Sequence, residues 1–570
     1  MAIENFKIIN ELLNFKEKIS VIYIFFILFF SIIFDLVSFA IIVPVFDVIF
    51  LDKVPNLNLN NFIEDFLLFL FKNKVILLLC VLALFSIKNL ILIFFNFVSN
   101  KFFVDHEVRC RNELFSFFIN QEYAFYLKKE TSHYLTKIVD DVVRYKTYLH
   151  FLVNIIVEFL FIIILIILLA YYNFYLIFFF FVSSSLIFLI YLNLVKKKLL
   201  NWSIIRQLNI SNMQRTLTEG FLGIKDIIIY NLEKIFSSKL GNFNVLAAKA
   251  SFKSDFLNLI SRQWIEILVI FVVVVPIIFL VLAGYQLKDY LSIFTFYTLA
   301  IFRIIPSVNR LVISYQQLVF NKVGFLSVYE QFSNKRFPQK NFSELNFKEY
   351  IEFIKVNYKF PGQNKFLLEN INLKIYKNQI VGIKGPNGSG KSTLLNLISG
   401  ILKETSGDII VDNKYKIFNN FNWFSKVSFV HQDVFLFNDT LKNNICLQFN
   451  KKETILDEIK LDNILDSLKI KPFFTSLPLN LNTSIDMNGN KLSGGQKQLI
   501  SIARAILKGS EIIIFDEANS ALDSNYQNIF KEILMNLKSK KTIIIVSHDL
   551  SFLKFCDKVY EVKNKNIFEC

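Results

Sequence analysis

The sequence predicts two domains of different class. An all-α transmembrane domain of six helices spans residues 19–325, and an α/β domain of the P-loop type spans residues 349–570. Three observations carry this. Long apolar runs recur through the N-terminal half. Gly385-Pro386-Asn387-Gly388-Ser389-Gly390-Lys391-Ser392 fits the phosphate-loop pattern G-x-x-x-x-G-K-[ST]. Around Asn334–Asn346 the apolar periodicity gives way to polar sequence, after which strand-like runs alternate with amphipathic helices.

At 570 residues the chain holds more than one domain. Its 54% hydrophobic content and mean hydropathy of +0.45 are high for a soluble protein. The net charge of +16 reads as cytoplasmic loops rather than a nucleic-acid surface, so no nucleic-acid partner is expected. Cys80, Cys110, Cys446, Cys556 and Cys570 are scattered and lack metal-site spacing.

Residues 1–18 mix Glu, Lys and Asn with Phe, Ile and Leu at helical spacing, which predicts an interfacial N-terminal helix rather than a cleaved signal. Apolar stretches follow from about Ile19 to Phe50, Val75–Val98, Leu149–Tyr172, Phe174–Val195, Trp264–Gly284 and Tyr290–Leu311. Each is long enough to cross a bilayer. The segment 101–150 carries eight Lys/Arg and 196–263 carries eleven, whereas the opposite loops hold only Lys53, Lys72, Lys74 and Lys288. That asymmetry places both termini in the cytoplasm of a multi-pass inner-membrane protein.

Polar residues inside spans are costly and need partners. Asp35 and Lys88 either pair between helices or serve a substrate, and Glu158 faces either a neighbouring helix or a cavity. In the sixth span Arg303 and Arg310 are seven residues apart, nearly two turns, so both point the same way, with Pro306 between them. Arg310 can snorkel to the interface. Arg303 lies deeper, and a cavity-facing cation meeting an anionic substrate is the expected role for this substrate path.

Residues 326–348 read as a linker. Beyond it, Ile380-Val381-Gly382-Ile383 supplies a buried strand before the phosphate loop and Leu394–Ile398 an amphipathic helix after it. Glycines let the loop N–H groups face phosphate oxygens, the helix N-terminus adds a favourable dipole, Lys391 reaches the β- and γ-phosphates, and Ser392 ligates Mg²⁺. Further elements follow in order: Gln432 in Val430-His431-Gln432-Asp433, Leu492-Ser493-Gly494-Gly495-Gln496, Ile512-Ile513-Ile514-Phe515-Asp516-Glu517, Ser520-Ala521-Leu522-Asp523, and His548.

This ordered set resembles the nucleotide-binding domain of an ABC transporter, and six spans ahead of it resemble an exporter-type half-transporter. The resemblance implies an ABC ATPase domain with ATP and Mg²⁺ as cofactors. It implies Glu517 as general base and His548 on the γ-phosphate, with Asp516, Ser392 and Gln432 around Mg²⁺. Phe360, or the rival Tyr358, takes the adenine-stacking place. Gly385 to Thr393, Gln432 and Asp523 complete the nucleotide site. Ser493, Gly494, Gly495 and Gln496 form a second phosphate cradle that in the family closes over a partner subunit's ATP, which implies a homodimer. Two departures stand out. The acid usual before the signature falls on Met487, unless Asp486 serves, and the usual Thr after the catalytic Glu is Asn519.

Glu122–Tyr145 and Glu219–Leu232 lie where exporters carry short coupling helices. The run Phe302-Arg303-Ile304-Ile305-Pro306-Ser307-Val308-Asn309-Arg310 is similar to that of PglK-like flippases of lipid-linked oligosaccharides. The expected function is ATP-driven export or flipping of an amphipathic glycolipid, with membrane lipid as surroundings. A lipid, drug or peptide exporter is the alternative, and a non-transporting membrane ATPase that gates or regulates is the alternative of another class.

Overall fold

The protein is described from a computed structural model covering residues 13–40, 45, 73–172, 174–282, 291–333 and 344–447. From 458 it continues to Cys570 apart from residues 468, 470, 476, 478, 487, 488, 490 and 491. The side chains of Asp35 and Arg303 lie outside the described residues, and with them the expected Asp35–Lys88 pair. The chain divides into two compact units, Met1–Ile119 with Glu130–Arg336, and Asn120–Lys129 with Phe337–Cys570.

Among the described residues, the first unit has six helices of 26 to 50 residues. They are α1 (Phe15–Ala40), α2 (Lys74–Ile119), α3 (Val142–Tyr172), α4 (Phe174–Leu222), α5 (Glu233–Leu282) and α6 (Leu291–Ser333). Gly and Pro are scarce and apolar residues run on, so the backbone ladder that an apolar solvent demands is nearly continuous, with Pro276 in α5 and Pro306 in α6 each lacking one donor. Within the described residues, Phe15–Phe34, Lys74–Ile119 and Thr131–Ile167 are long and apolar enough to cross a membrane. Ile24, Ile27, Leu28 and Ile32 of α1 pack with Phe95 of α2 and Phe161 and Leu165 of α3. Short helices Tyr123–Tyr126 and Ile224–Ile229 occupy the two loops where coupling helices were expected.

Several polar residues of this unit are partnered across long sequence distances. Glu17 lies 2.8 Å from His106 Nδ1 and accepts from Arg109 Nε at 2.7 Å. Residues 15–18, expected in a separate helix, are therefore the first turn of α1, while residues 1–12 lie outside the described part. A π turn, Lys137–Asp141, precedes α3. There Asp140 accepts from both terminal nitrogens of Arg206 at 3.2 Å, and buried Asp141 accepts from Gln207 Nε2 at 2.8 Å and Ser327 Oγ at 2.6 Å. Arg144 lies over the Phe320 ring, 5.3 Å from its centroid. Gly324 makes room for it: a Cβ at 324 would sit 2.5 Å from Arg144 Cβ.

Glu158 faces a neighbouring helix. Its carboxylate pairs with Arg310 of α6, whose Nη2 donates to Glu158 Oε2 at 3.1 Å and to Ser307 Oγ at 3.1 Å. The helix α6 passes through Pro306 and on to Ser333. Residues 326–333, read as linker, are thus its last turns, because Phe325 and Val328 keep a buried stripe going beneath the polar residues.

The second unit is built on two main sheets. In chain order its strands are β1 (Tyr350–Tyr358), β2 (Leu368–Tyr376), β3 (Ile380–Lys384), β4 (Ser406–Val411), β5 (Tyr415–Lys416) and β6 (Val427–Val430). There follow β7 (Asp439–Thr440), β8 (Ser484–Ile485), β9 (Ile512–Asp516), β10 (Thr542–Val546), β11 (Lys558–Lys563) and β12 (Asn566–Glu569). An antiparallel sheet has the order β2-β1-β4-β5, and a mostly parallel one the order β12-β11-β3-β10-β9-β6. The strands β3, β9 and β10 are apolar at nearly every position, as strands covered on both faces must be. Helices α7 (Lys391–Ile398), α8 (Gly494–Lys508) and α9 (Ser524–Leu537) complete what positions the site.

Candidate functional site

The site forms where four neighbouring parallel strands end, the usual place for a ligand in an open α/β sheet. From β3 the chain enters the loop Gly385–Gly390 and then α7. Gly385 has φ +151° and a Cβ there would lie 2.4 Å from the Val562 carbonyl oxygen, so only glycine fits. Gly390, at φ +101°, caps α7. Lys391 is buried, its Nζ donating to the carbonyls of Gly385 at 2.8 Å and Pro386 at 3.1 Å. Ser389 Oγ is buried and has no hydrogen-bond partner. A buried hydroxyl without a partner is costly, and a phosphate oxygen there would satisfy it.

Sheet register explains why residues far apart in sequence meet. β9 pairs with β10 so that Asp516 stands beside Val546, and β6 pairs with β9 so that Val430 stands beside Phe515. The residues just past each strand end must then converge. Glu517 N donates to Val546 O at 3.1 Å. Its carboxylate accepts from Gln432 Nε2 at 2.9 Å and lies 3.2 Å from His548 Nε2. Glu517 holds φ +49°, a left-handed conformation unusual for a non-glycine residue. Burial raises the Asp516 carboxyl above its ordinary range, the Ser392 bond opposes this, and the neighbouring Glu517 charge adds to it. Asp516, Ser392 and the Gln432 amide are oxygen donors, the set a hard cation such as Mg²⁺ takes.

The expected site residues thus separate into groups. Gly385 to Thr393, Gln432, Asp516, Glu517 and His548 belong to this one cluster of strand ends. Tyr358 is buried in the core, its ring edge-on to Phe360, whereas Phe360 is only partly covered, so Phe360 is the available π-face. Ser493 and Gln496 form a capping box at the start of α8: Gln496 N donates to Ser493 Oγ at 3.2 Å and Ser493 N to Gln496 Oε1 at 2.9 Å. Asp523, expected at the nucleotide, caps α9 by accepting from Tyr526 N at 2.9 Å. Gln498 was not singled out from the sequence. On α8 it donates to the carbonyls of His431 at 3.2 Å and Gln432 at 2.8 Å, fixing the loop that carries Gln432.

Residues 368–520 match the family model described as ABC transporter. The second unit is an ABC transporter ATP-binding domain. An ATP-dependent lipid A-core flippase of Pseudoalteromonas translucida is 36% identical over 227 residues, 39% of this chain and 38% of that protein. A putative multidrug export ATP-binding/permease protein of Staphylococcus aureus is 38% identical over 222 residues, 38% of this chain and 37% of its own length. The match thus spans under two fifths of these curated relatives. The whole fold is shared with a bacterial Atm1-family ABC exporter solved with ATP bound, at TM-score 0.77 and 18% identity, covering 96% of this chain and 94% of that one. A helical membrane unit ahead of an α/β ABC ATPase is therefore the fold class of this chain.

Proposed function

We propose that this chain is an ATP-driven exporter of the flippase kind that works as a dimer in the cytoplasmic membrane and moves an amphipathic substrate. The observation that carries the reading is Glu517 held between Gln432 and His548 beside a phosphate loop with an unpartnered buried hydroxyl. Lys391, Ser389 and the loop N–H groups hold the phosphates, and Phe360 stacks on the base. Ser392, Asp516 and Gln432 would hold Mg²⁺, which when bound neutralises charge on the phosphate oxygens. Glu517 takes the proton from the attacking water, with Gln432 and His548 fixing its two oxygens. Ser493 and the N–H groups of Gly494 and Gly495, at a helix N-terminus, suit the phosphates of a nucleotide held by a second copy.

The substrate we favour is a lipid-linked oligosaccharide, whose diphosphate Arg303 would meet. The Arg310–Glu158 pair favours a second reading. With Arg310 already neutralised within the chain, an uncharged lipid or drug is accommodated as readily. Both readings keep the same motor. Glu517→Gln tests it: the variant retains ATP binding while hydrolysis falls by about 100-fold or more. Hydrolysis near the wild-type rate would remove Glu517 from its assigned role. Flipping of a labelled diphosphate glycolipid in proteoliposomes separates the two substrates.

A further inference from the structure

His548 poses a positioning problem. Its side chain is 52% exposed, so packing does not hold the imidazole ring in its place 3.2 Å from Glu517 Oε1. The orientation has to come from the turn that carries it. The parallel ladder between β9 and β10 ends at Asp516 and Val546, with Glu517 N to Val546 O as the last backbone link at 3.1 Å. Beyond it, Ser547 Oγ accepts from Asp549 N at 3.0 Å, closing a turn around His548. The same hydroxyl donates to Asn519 Oδ1 at 3.3 Å.

We propose that Asn519 is a positioning residue that ties the His548 turn to the Glu517 turn. This rests on the hydrolytic reading of the site given above. Asn519 and Ser547 are both buried, at 8% and 1% exposure, so water does not replace the bond between them. Asn519 is itself fixed, its carbonyl accepting from Leu522 N at 3.3 Å and Gln527 Nε2 at 3.4 Å. On the other side Ser520 bonds back to the Glu517 carbonyl through N at 3.1 Å and Oγ at 2.8 Å. One segment, 517–520, therefore sets the backbone of Glu517 and, through the amide of Asn519, that of His548. Reach matters here. A threonine carries its hydroxyl one bond nearer the backbone, and the 3.3 Å contact to Ser547 would lengthen.

The test measures steady-state ATP hydrolysis by full-length protein in liposomes, with thermal midpoints on the same preparations. Asn519→Ala should lower kcat about tenfold, with KM for ATP changed by less than about twofold. Asn519→Asp keeps the acceptor oxygen and should stay within about threefold of wild type. Ser547→Ala removes the same bond from its other end, so the Asn519→Ala, Ser547→Ala double variant should be no slower than Ser547→Ala alone. Wild-type kcat in Asn519→Ala overturns the proposal, as do multiplicative losses in the double variant. So does a parallel fall of kcat, affinity and thermal midpoint, which marks a merely structural residue. A Glu517→Gln control that still hydrolyses ATP overturns the reading of the whole site instead, and this proposal with it.

Discussion

Gly494 and Gly495 open the helix α8, and both abut the Ser520–Asp523 loop. Their neighbours differ. A Cβ on Gly495 would lie 2.9 Å from the carbonyl oxygen of Ala521, while one on Gly494 would lie 3.4 Å from Ala521 Cβ, an ordinary contact. Gly495→Ala must push a backbone carbonyl back by about half an ångström, and overpacking of this kind costs about 1–3 kcal/mol. Replacing glycine by alanine in a helix returns up to ~1 kcal/mol, less in the first turn. Gly494→Ala collects that gain without the clash. The two variants should therefore differ in stability by about 1–3 kcal/mol, with Gly495→Ala the weaker. Thermal unfolding of the full-length protein, followed by tryptophan fluorescence, reads the difference: Trp423 is fully buried in the ABC domain and reports on it. Equal midpoints, or a lower one for Gly494→Ala, would show that the Ala521 carbonyl yields freely and that glycine is there for another reason.

Other outcomes follow from particular contacts. Gly324→Ala should destabilise the membrane unit by about 1–3 kcal/mol, seen as lower yield and thermal midpoint, because its methyl meets Arg144 Cβ at 2.5 Å. Arg310→Gln strips Glu158 of its guanidinium partner, so it should lower stability, and adding Glu158→Gln should restore part of the loss. Equal loss in the single and double variants would sink the pairing. Burial alone would raise the Glu511 carboxyl, but Lys426 at 2.5 Å and Lys377 at 2.9 Å hold it below 4.5. Its folded value is depressed, so its contribution is full above pH 4.5 and disappears as pH falls through the lower folded value. Glu511→Gln should thus cost about 1 kcal/mol at neutral pH and converge on wild type in acid; a gap that persists at low pH would contradict this.

The strand-end cluster around Glu517 was legible in the sequence because its parts sit at strand ends and helix starts, where local chemistry is demanding. A glycine-rich turn before Lys391, two acids after four apolar residues and a Ser–Gly–Gly–Gln helix start each announce their own conformation. The choice between Tyr358 and Phe360 was not legible. It turns on β1, whose buried positions Ile351, Phe353, Val356 and Tyr358 skip a residue at an irregularity after Phe353, so strict alternation fails there. Asp523 in sequence reads equally as a nucleotide-side carboxylate or as a helix cap, and only the position of Tyr526 N at the start of α9 makes it the cap. The end of α6 is not legible either, because Glu330, Lys335 and Arg336 hide the buried stripe that runs through Val328. Pairs such as Glu158 with Arg310 and Glu17 with His106 join positions 152 and 89 apart, and no local pattern encodes which helix a polar residue meets.

The helix α2 has 46 residues, which makes it about 69 Å long at 1.5 Å per residue. The hydrocarbon layer takes up about 30 Å of that. The remainder, roughly 39 Å long, is a stiff arm rooted in its own membrane segment. Leverage follows: a tilt of about 5° at the bilayer sweeps the far end through about 3 Å. An unbroken rod of this length converts a small angular change at one end into an atomic-scale stroke at the other, without any hinge along the way.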